Sequence, residues 1–331
     1  MSHRRKALLC LAIVVAAGCG AEPPAPQLHT KQAAAAKPAK IQTEHLPNAY
    51  RVHPKVISGG QPDGEAGFRE LQQLGVKTVI SVDGAKPEVE LAKKFGLRYV
   101  HLPHGYDGVP EQRAKELAKA VRDLPGPVYI HCHHGKHRSP AASAVACVAA
   151  GLIPPSDSLA ILRVAGTIEN YRGLYASAEA ALRLDAKLLD ELQADFPSIA
   201  RLPPLAEAMV ALGHIHDDLK LIAAGGWKRL AKHPDIEPAH AALLMREHFA
   251  ELLRAEETQQ RPQTFQQLLR ESEQASASLE TLLRKIALSS SPTPPEGAET
   301  AFAIVSTNCT TCHRDYRDIP LQERQPVPRQ R

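Results

Sequence analysis

At 331 residues the chain has room for two domains of ordinary size, and its 44% apolar content suits globular structure. The formal net charge is +4; without Arg4, Arg5 and Lys6 it falls to about +1, which leaves no nucleic-acid footprint. The six cysteines leave no spare pair once placed as below, and this excludes a disulfide scaffold.

Residues 1–19 read as a targeting segment. Arg4-Arg5-Lys6 is a basic start, and residues 7–17 form an apolar run too short to span a bilayer. Val15-Ala16-Ala17-Gly18-Cys19 resembles a bacterial lipoprotein cleavage box, which makes Cys19 the expected lipidation site. The alternative is an ordinary secretory signal cut near Gly18 or Ala21. Both predict export to the periplasmic side, the first with a membrane anchor. Residues 20–47, rich in Pro, Ala, Lys and Gln, are expected to form a flexible tether.

From Tyr50 strand and helix patterns alternate. A strand is expected over 50–57, a turn at 58–62, and a helix from Asp63 to Leu74. Strands follow over 76–82 and 97–102, separated by a helix over 87–95 that closes at Gly96. Next come a helix over 110–124 and a strand over 127–130. Ser139, followed by Pro140, is the expected cap of another helix. Two more helices are expected over 156–165 and 171–182. The pattern predicts an α/β domain over 48–182, with a central, mostly parallel sheet covered by helices.

Between the 127–130 strand and the next helix runs His131-Cys132-His133-His134-Gly135-Lys136-His137-Arg138-Ser139. A strand, a tight loop and a helix N-terminus aim several backbone N–H groups at one point, backed by the helix dipole. That is an anion site. A cysteine at its floor is favoured as the nucleophilic thiolate, and a guanidinium six positions on can grip two phosphate oxygens. His131-Cys132-x5-Arg138-Ser139, with Gly135 midway, resembles the signature of cysteine-dependent protein tyrosine and dual-specificity phosphatases. Residues 58–62 are similar to the opening segment of bacterial dual-specificity-like phosphatases. The plainer alternative is a buried cysteine beside a His-rich surface turn.

The resemblance implies hydrolysis of a phosphorylated substrate, a protein or a small polyanion. Cys132 would form a cysteinyl-phosphate, and Arg138 with the loop N–H groups would hold the phosphate oxygens. His131 would orient the loop, and Ser139 would assist the departure of Cys132. The general acid is expected on the 102–110 loop, where Asp107 is the only carboxylic acid. His104 is the runner-up, and Asp83 reads as structural. His133, His134, Gly135, Lys136 and His137 form the rest of the substrate loop. Its four cationic side chains read either as a solvated basic turn or as a preference for highly anionic substrates. In the second reading, histidine charge makes activity rise toward acidic pH. Cys147, among Ala and Val residues, reads as core packing and is the nearest other thiol.

Beyond residue 184 strand patterns stop. A connecting helix is expected over 183–202. Amphipathic helices follow over 205–224, 238–257, 264–288 and 298–314, forming an all-α bundle over 203–318. Residues 289–297 read as a Ser/Pro linker, and 319–331 as a disordered tail.

Cys309-Thr310-Thr311-Cys312-His313 is the c-type haem attachment pattern. On a helix the two cysteines lie one turn apart, and His313 can offer its imidazole to the iron. A redox CxxC pair and half a zinc site are the alternatives. Residues 302–317 resemble the final helix of the cytochrome c′ and c-556 group. That implies a four-helix bundle with one covalent haem c and a distal residue from its first helix. Met209 is then the candidate sixth ligand, with His214, His216 and His240 as rivals. Arg317, four residues after His313, is expected near the haem. Homodimerisation through the bundle is a further expectation.

The whole chain is therefore expected to be an exported phosphatase joined to a haem module for electron transfer or redox or gas sensing, with a redox partner. One alternative is a haem electron-transfer protein whose phosphatase-like domain only binds anions. Another is an enzyme in which the haem state controls oxidation of Cys132.

Overall fold

The computed structural model describes residues 37–287 and 296–324. The targeting segment with Cys19, residues 20–36, residues 288–295 and residues 325–331 lie outside the described residues. Among the described residues no helix is long and apolar enough to cross a membrane.

Four strands run parallel: β3 (Val56–Gly60), β4 (Thr78–Ser81), β5 (Arg98–His101) and β6 (Val128–Cys132). Two more, β1 (Ala39–Lys40) and β2 (Tyr50–His53), extend one edge antiparallel. The order is β1-β2-β3-β6-β4-β5, so the sheet is mixed and β6 sits inside it. Alternate residues of a strand covered on both faces enter different cores. Val128, Ile130 and Cys132 pack with α3 (Glu111–Asp123) and α4 (Arg138–Ala149). Tyr129 packs on the other side with Phe68 and Leu71 of α1 (Gly64–Gln73) and Ala92 of α2 (Val89–Lys94). Helix α4 is buried almost all round, which its Ala, Ser and Val content permits.

Several expectations change. Residues 50–57 are not one strand, because Pro54 and Lys55 turn the chain into the β2–β3 hairpin; proline has no N–H for the ladder. The expected turn at 58–62 begins as the end of β3. There Gly59 lies against Tyr129 and Gly60 against Pro47, too close for a side chain. The expected tether is folded at its end: Ala39 and Lys40 pair with Arg51 and Tyr50, and Leu46 is buried. Burying a leucine is worth about 2 kcal/mol, enough to hold a short segment down.

After α5 (Ser158–Ala165) and α6 (Arg172–Glu179), the expected connecting helix is only α7 (Ala186–Glu191). The chain then runs extended beside β5. Pro197 O accepts from His101 N at 2.8 Å, and Ala200 N donates to His101 Nδ1 at 3.0 Å. Pro197 disfavours helix in the residue before it, so the sheet edge competes successfully.

Four long helices follow: α8 (Pro204–Ala224), α9 (Pro238–Arg254), α11 (Gln263–Ala287) and α12 (Ala298–Cys312), with short α10 (Glu256–Gln259) before α11. Leu219 and Ile222, Met245 and Phe249, Leu279 and Leu283, and Phe302 and Val305 share one core at helical spacing. The single tryptophan, Trp227, stands edge-on to Phe302 at 5.7 Å. Helix α12 ends one residue short of His313, and 313–317 form a single wider π-turn. The start of the tail expected to be disordered from 319 is folded: Pro320 is buried and Leu321–Glu323 form a 3-10 turn.

Candidate active site

The 132–138 loop leaves the carboxyl end of β6, the position from which open α/β sheets present ligand-binding loops. Helix α4 begins at Arg138, two residues earlier than expected, so Ser139 does not cap it. Its hydroxyl turns inward instead, 3.3 Å from Cys132 Sγ and donating to Gly59 O at 2.9 Å. Cys132 is buried and unpaired. His131 accepts or donates through Nε2 to Tyr99 OH at 2.6 Å, which fixes the residue before the nucleophile from the opposite side of the sheet.

The loop is held by its neighbours rather than by its own hydrogen bonds. Asn48 Nδ2 donates to Gly135 O and to Ala165 O, both at 2.9 Å. Thr167 Oγ1 donates to Lys136 O at 2.6 Å, and Gln61 N to His133 O at 3.1 Å. Gly135 has φ +69°, and a Cβ there would strike the Gly59–Gly60 backbone. The sequence reading had no signal for Asn48 or Thr167; each lies far along the chain from the loop it holds.

Arg138 is partly buried, and its Nε has no protein partner. An unpaired buried guanidinium N–H is costly unless something anionic accepts from it. Asp83 is buried behind it, with Oδ1 accepting from Ala85 N at 2.9 Å. Burial pushes the Asp83 carboxyl up, but the charge of Arg138, then that of His131, holds it below the usual carboxylate range. Asp83 therefore stays ionised near Arg138, with its Oδ2 lacking a hydrogen-bond partner.

The 102–110 loop reaches over this cradle. The Tyr106 ring carries the Arg138 guanidinium at 4.4 Å on one contact and that of Arg317 at 4.0 Å on another. Asp107, the next residue, is buried, and burial raises its carboxyl above the ordinary value. The opposing influence is Arg324, whose Nη2 lies 2.8 Å from Asp107 Oδ2. Leu321 N also donates to Asp107 O at 3.0 Å. The runner-up, His104, is buried near Arg138, and burial first, then that charge, holds its imidazole down at about 4. A neutral imidazole is a poor proton donor.

Part of this chain resembles a phosphatase. No protein-family model matches it. Over 141 residues it is 32% identical to the dual specificity protein phosphatase TpbA of Pseudomonas aeruginosa strain UCBPP-PA14. The match covers 41% of this chain and 63% of TpbA, so the chain spans less than two thirds of the curated relative. A crystal structure of P. aeruginosa TpbA is similar at 23% identity and TM-score 0.38, covering 46% of this chain and 92% of that one. The core catalytic domain of the PP-IP phosphatase SIW14 from S. cerevisiae, in complex with citrate, is similar at 15% identity and TM-score 0.38, covering 45% and 92%. A cysteine-to-serine variant of TpbA in complex with phosphotyrosine is similar at 23% identity and TM-score 0.35, covering 43% and 87%. The TpbA-like portion is the mixed sheet with its helices.

The loop histidines are not the cationic cluster the sequence suggested. His137 is held down at about 4, first by burial and then by Arg138. Burial and neighbouring His133 also lower His134. His133 faces Asp217 of α8, Nε2 to Oδ2 at 3.5 Å. Arg138 and exposed Lys136 keep their charge at the loop, while His134 and His137 are pushed toward the neutral form. Buried Cys147 has its thiol pushed up to about 12, so it is no ready exchange partner for Cys132.

A second site lies among α8, α9, α11 and α12. A cavity of about 410 Å³ is lined by Cys309, Cys312 and His313 together with Met209, Met245 and Phe249. Both cysteines are free. His216 also lines this cavity, with Nε2 2.9 Å from Ser306 Oγ. His214 does not; its ring stands edge-on to His133 at 5.7 Å. His240 lies at the start of α9, where its backbone N donates to Glu237. Arg317 does not line the cavity: its guanidinium lies on Tyr106 and pairs with Asp318 at 2.6 Å, while its charge still acts on His313.

Proposed function

We propose that this chain is a cysteine-dependent phosphomonoesterase that also carries one covalent haem c. The observation that carries the first half is the unpartnered Arg138 Nε in the loop built on Cys132, with Ser139 against the sulfur and a raised carboxyl, Asp107, on the loop that Tyr106 pins to Arg138. Similarity to TpbA supports the same reading, and a TpbA variant's complex with phosphotyrosine favours a phosphorylated substrate.

In the first step the Cys132 thiolate attacks phosphorus while Arg138 and the loop N–H groups hold the equatorial oxygens. The bond to the leaving alcohol breaks as Asp107 gives that oxygen its proton. In the second step water attacks the cysteinyl-phosphate. The Asp107 carboxylate takes a water proton, and Cys132 leaves as thiolate. The Ser139 O–H, now on Gly59 O, can turn to that sulfur. Cys132→Ser should abolish hydrolysis of p-nitrophenyl phosphate and leave the visible spectrum intact; surviving turnover would remove the catalytic assignment.

The donor set of the helical cavity fits a haem. Two free thiols and an imidazole from one helix end face an apolar space that also holds Met209. Cys309 and Cys312 would hold the haem covalently, and His313 and Met209 would be the residues offered to its iron. Such a haem supplies one-electron redox chemistry or a gas-binding iron. Covalent pyridine haemochrome absorbance, lost in Cys309→Ala/Cys312→Ala, is the matching test. Export is part of the proposal, because covalent haem is attached outside the bacterial cytoplasm. Residues 1–19 would supply the signal and Cys19 the lipid anchor, and labelling with a radioactive fatty acid that Cys19→Ala abolishes would establish it.

A further inference from the structure

The geometry points to a divalent transition-metal site made by His133, His134 and Asp217, which clamps the phosphate loop to helix α8. One ligand atom from each of the three side chains lies within 4.8 Å of the others. Among the described residues this is the cluster of histidine and carboxylate groups with ligand-like spacing. His133 Nε2 and Asp217 Oδ2 are already 3.5 Å apart. Bonds of about 2.0–2.2 Å to a tetrahedral zinc put neighbouring ligand atoms roughly 3.3–3.6 Å apart. One edge of the tetrahedron is thus in place, and the other two need only a small turn of the His134 ring, which is exposed.

A plain ion pair explains less. Both His133 and Asp217 are more than a third exposed, and solvent screens such a pair so that it contributes little. It gives no reason for His134 to sit with its ring 4.2 Å from that of His133. Nor does it explain His214, one turn before Asp217, edge-on to the same ring. His133 Nδ1 has no hydrogen-bond partner, so the ring is engaged only where it faces Asp217. Lys220 pairs with the other carboxylate oxygen, Oδ1, at 3.0 Å, and leaves Oδ2 to the histidines.

Two imidazoles and a carboxylate suit zinc or another borderline first-row ion. Three protein ligands leave a fourth position for water or an oxygen of a phosphate. The ligands join distant parts of the chain: two follow the cysteine directly, and the third belongs to the helix that also carries Met209. A bound ion would therefore fix the loop against the helical half. The inference stands on the geometry alone and holds whether or not Cys132 is catalytic.

The test is Zn2+ titration of the full-length, haem-loaded protein by isothermal calorimetry, with bound zinc counted by elemental analysis after dialysis. One equivalent is expected. Asp217→Asn and His134→Ala should each weaken it at least 10-fold, and Lys220→Met should leave it or tighten it. Melting curves in EDTA show whether each variant is folded, and p-nitrophenyl phosphate hydrolysis in EDTA should be unchanged in Asp217→Asn. Cobalt substitution gives a second readout, because a thiolate ligand adds an intense charge-transfer band. Zinc bound equally by folded Asp217→Asn and His134→Ala, or a cobalt spectrum showing a thiolate ligand, would overturn the assignment.

Discussion

Arg324 Nη2 lies 2.8 Å from Asp107 Oδ2, so the last described residue of the chain holds the proposed general acid. Glu323 anchors the same turn through a two-bond contact with Arg172, at 2.7 and 2.9 Å. The segment after residues 309–313 is thus a strap across the 102–110 loop. It reaches that loop a second time where Arg317 covers Tyr106.

Removing the strap's charge should shift the pH profile. Burial raises the Asp107 carboxyl and Arg324 opposes this. In Arg324→Ala the carboxyl rises further, so the acid stays protonated to higher pH. The descending limb of kcat against pH should move upward, which a profile with an aryl phosphate would record. A limb that stays in place would mean that Asp107 is not the acid.

Ser139→Ala should slow breakdown of the intermediate more than its formation. The variant loses the hydroxyl beside the departing sulfur. One lost hydrogen bond to a leaving group corresponds to roughly a 10- to 100-fold drop in kcat. Stopped-flow traces should show a burst of the released phenol, absent from the unmodified protein.

Tyr106 separates ring from hydroxyl. Its ring sits against two guanidiniums, each contact worth about 1–2 kcal/mol when desolvated. Tyr106→Phe keeps the ring, so KM should stay close to that of the parent. Tyr106→Ala frees Arg138, and KM should rise roughly 10-fold.

Acid should destabilise the fold through its histidines. His104, His131 and His137 are each held at about 4, against 6.5 for a free imidazole, chiefly by burial. Between those values the unfolded chain binds protons that the folded chain does not, so stability rises with pH there. It is fully present above about 6.5 and lost as pH falls toward about 4. Thermal melts from pH 7 to 4 should show a steadily falling Tm. For the same reason turnover should not climb between pH 7.5 and 5.5 through loop histidine charge, contrary to what the sequence suggested.

Met209 and His216 both line the helical cavity. If Met209 is the sixth ligand, Met209→Ala should turn a low-spin haem high-spin by electron paramagnetic resonance, and His216→Ala should not. The reverse pattern would assign the position to His216.

The sequence alone determined the local chemistry. Spacing along one strand–loop–helix placed Cys132, Arg138 and Ser139 together, because five intervening residues leave little freedom. The CxxCH run did the same for Cys309, Cys312 and His313 within one helix end. Alternation of patterns also made β6 an interior strand. Reading failed wherever a residue's partner lies far along the chain. Ser139 reads as a helix cap, yet its hydroxyl finds Gly59 O and Cys132. Nothing near Arg317 in the sequence shows that the π-turn sets its guanidinium on Tyr106. The loop histidines read as charged, yet burial in the folded chain keeps His137 neutral. The tail reads as disordered, since Pro, Arg and Gln bury little by themselves; a buried carboxyl at Asp107 gives Arg324 its partner. Desolvation and long-range pairing exist only once the chain is folded, and so only the tertiary structure could decide that Arg138 and Arg317 meet across Tyr106.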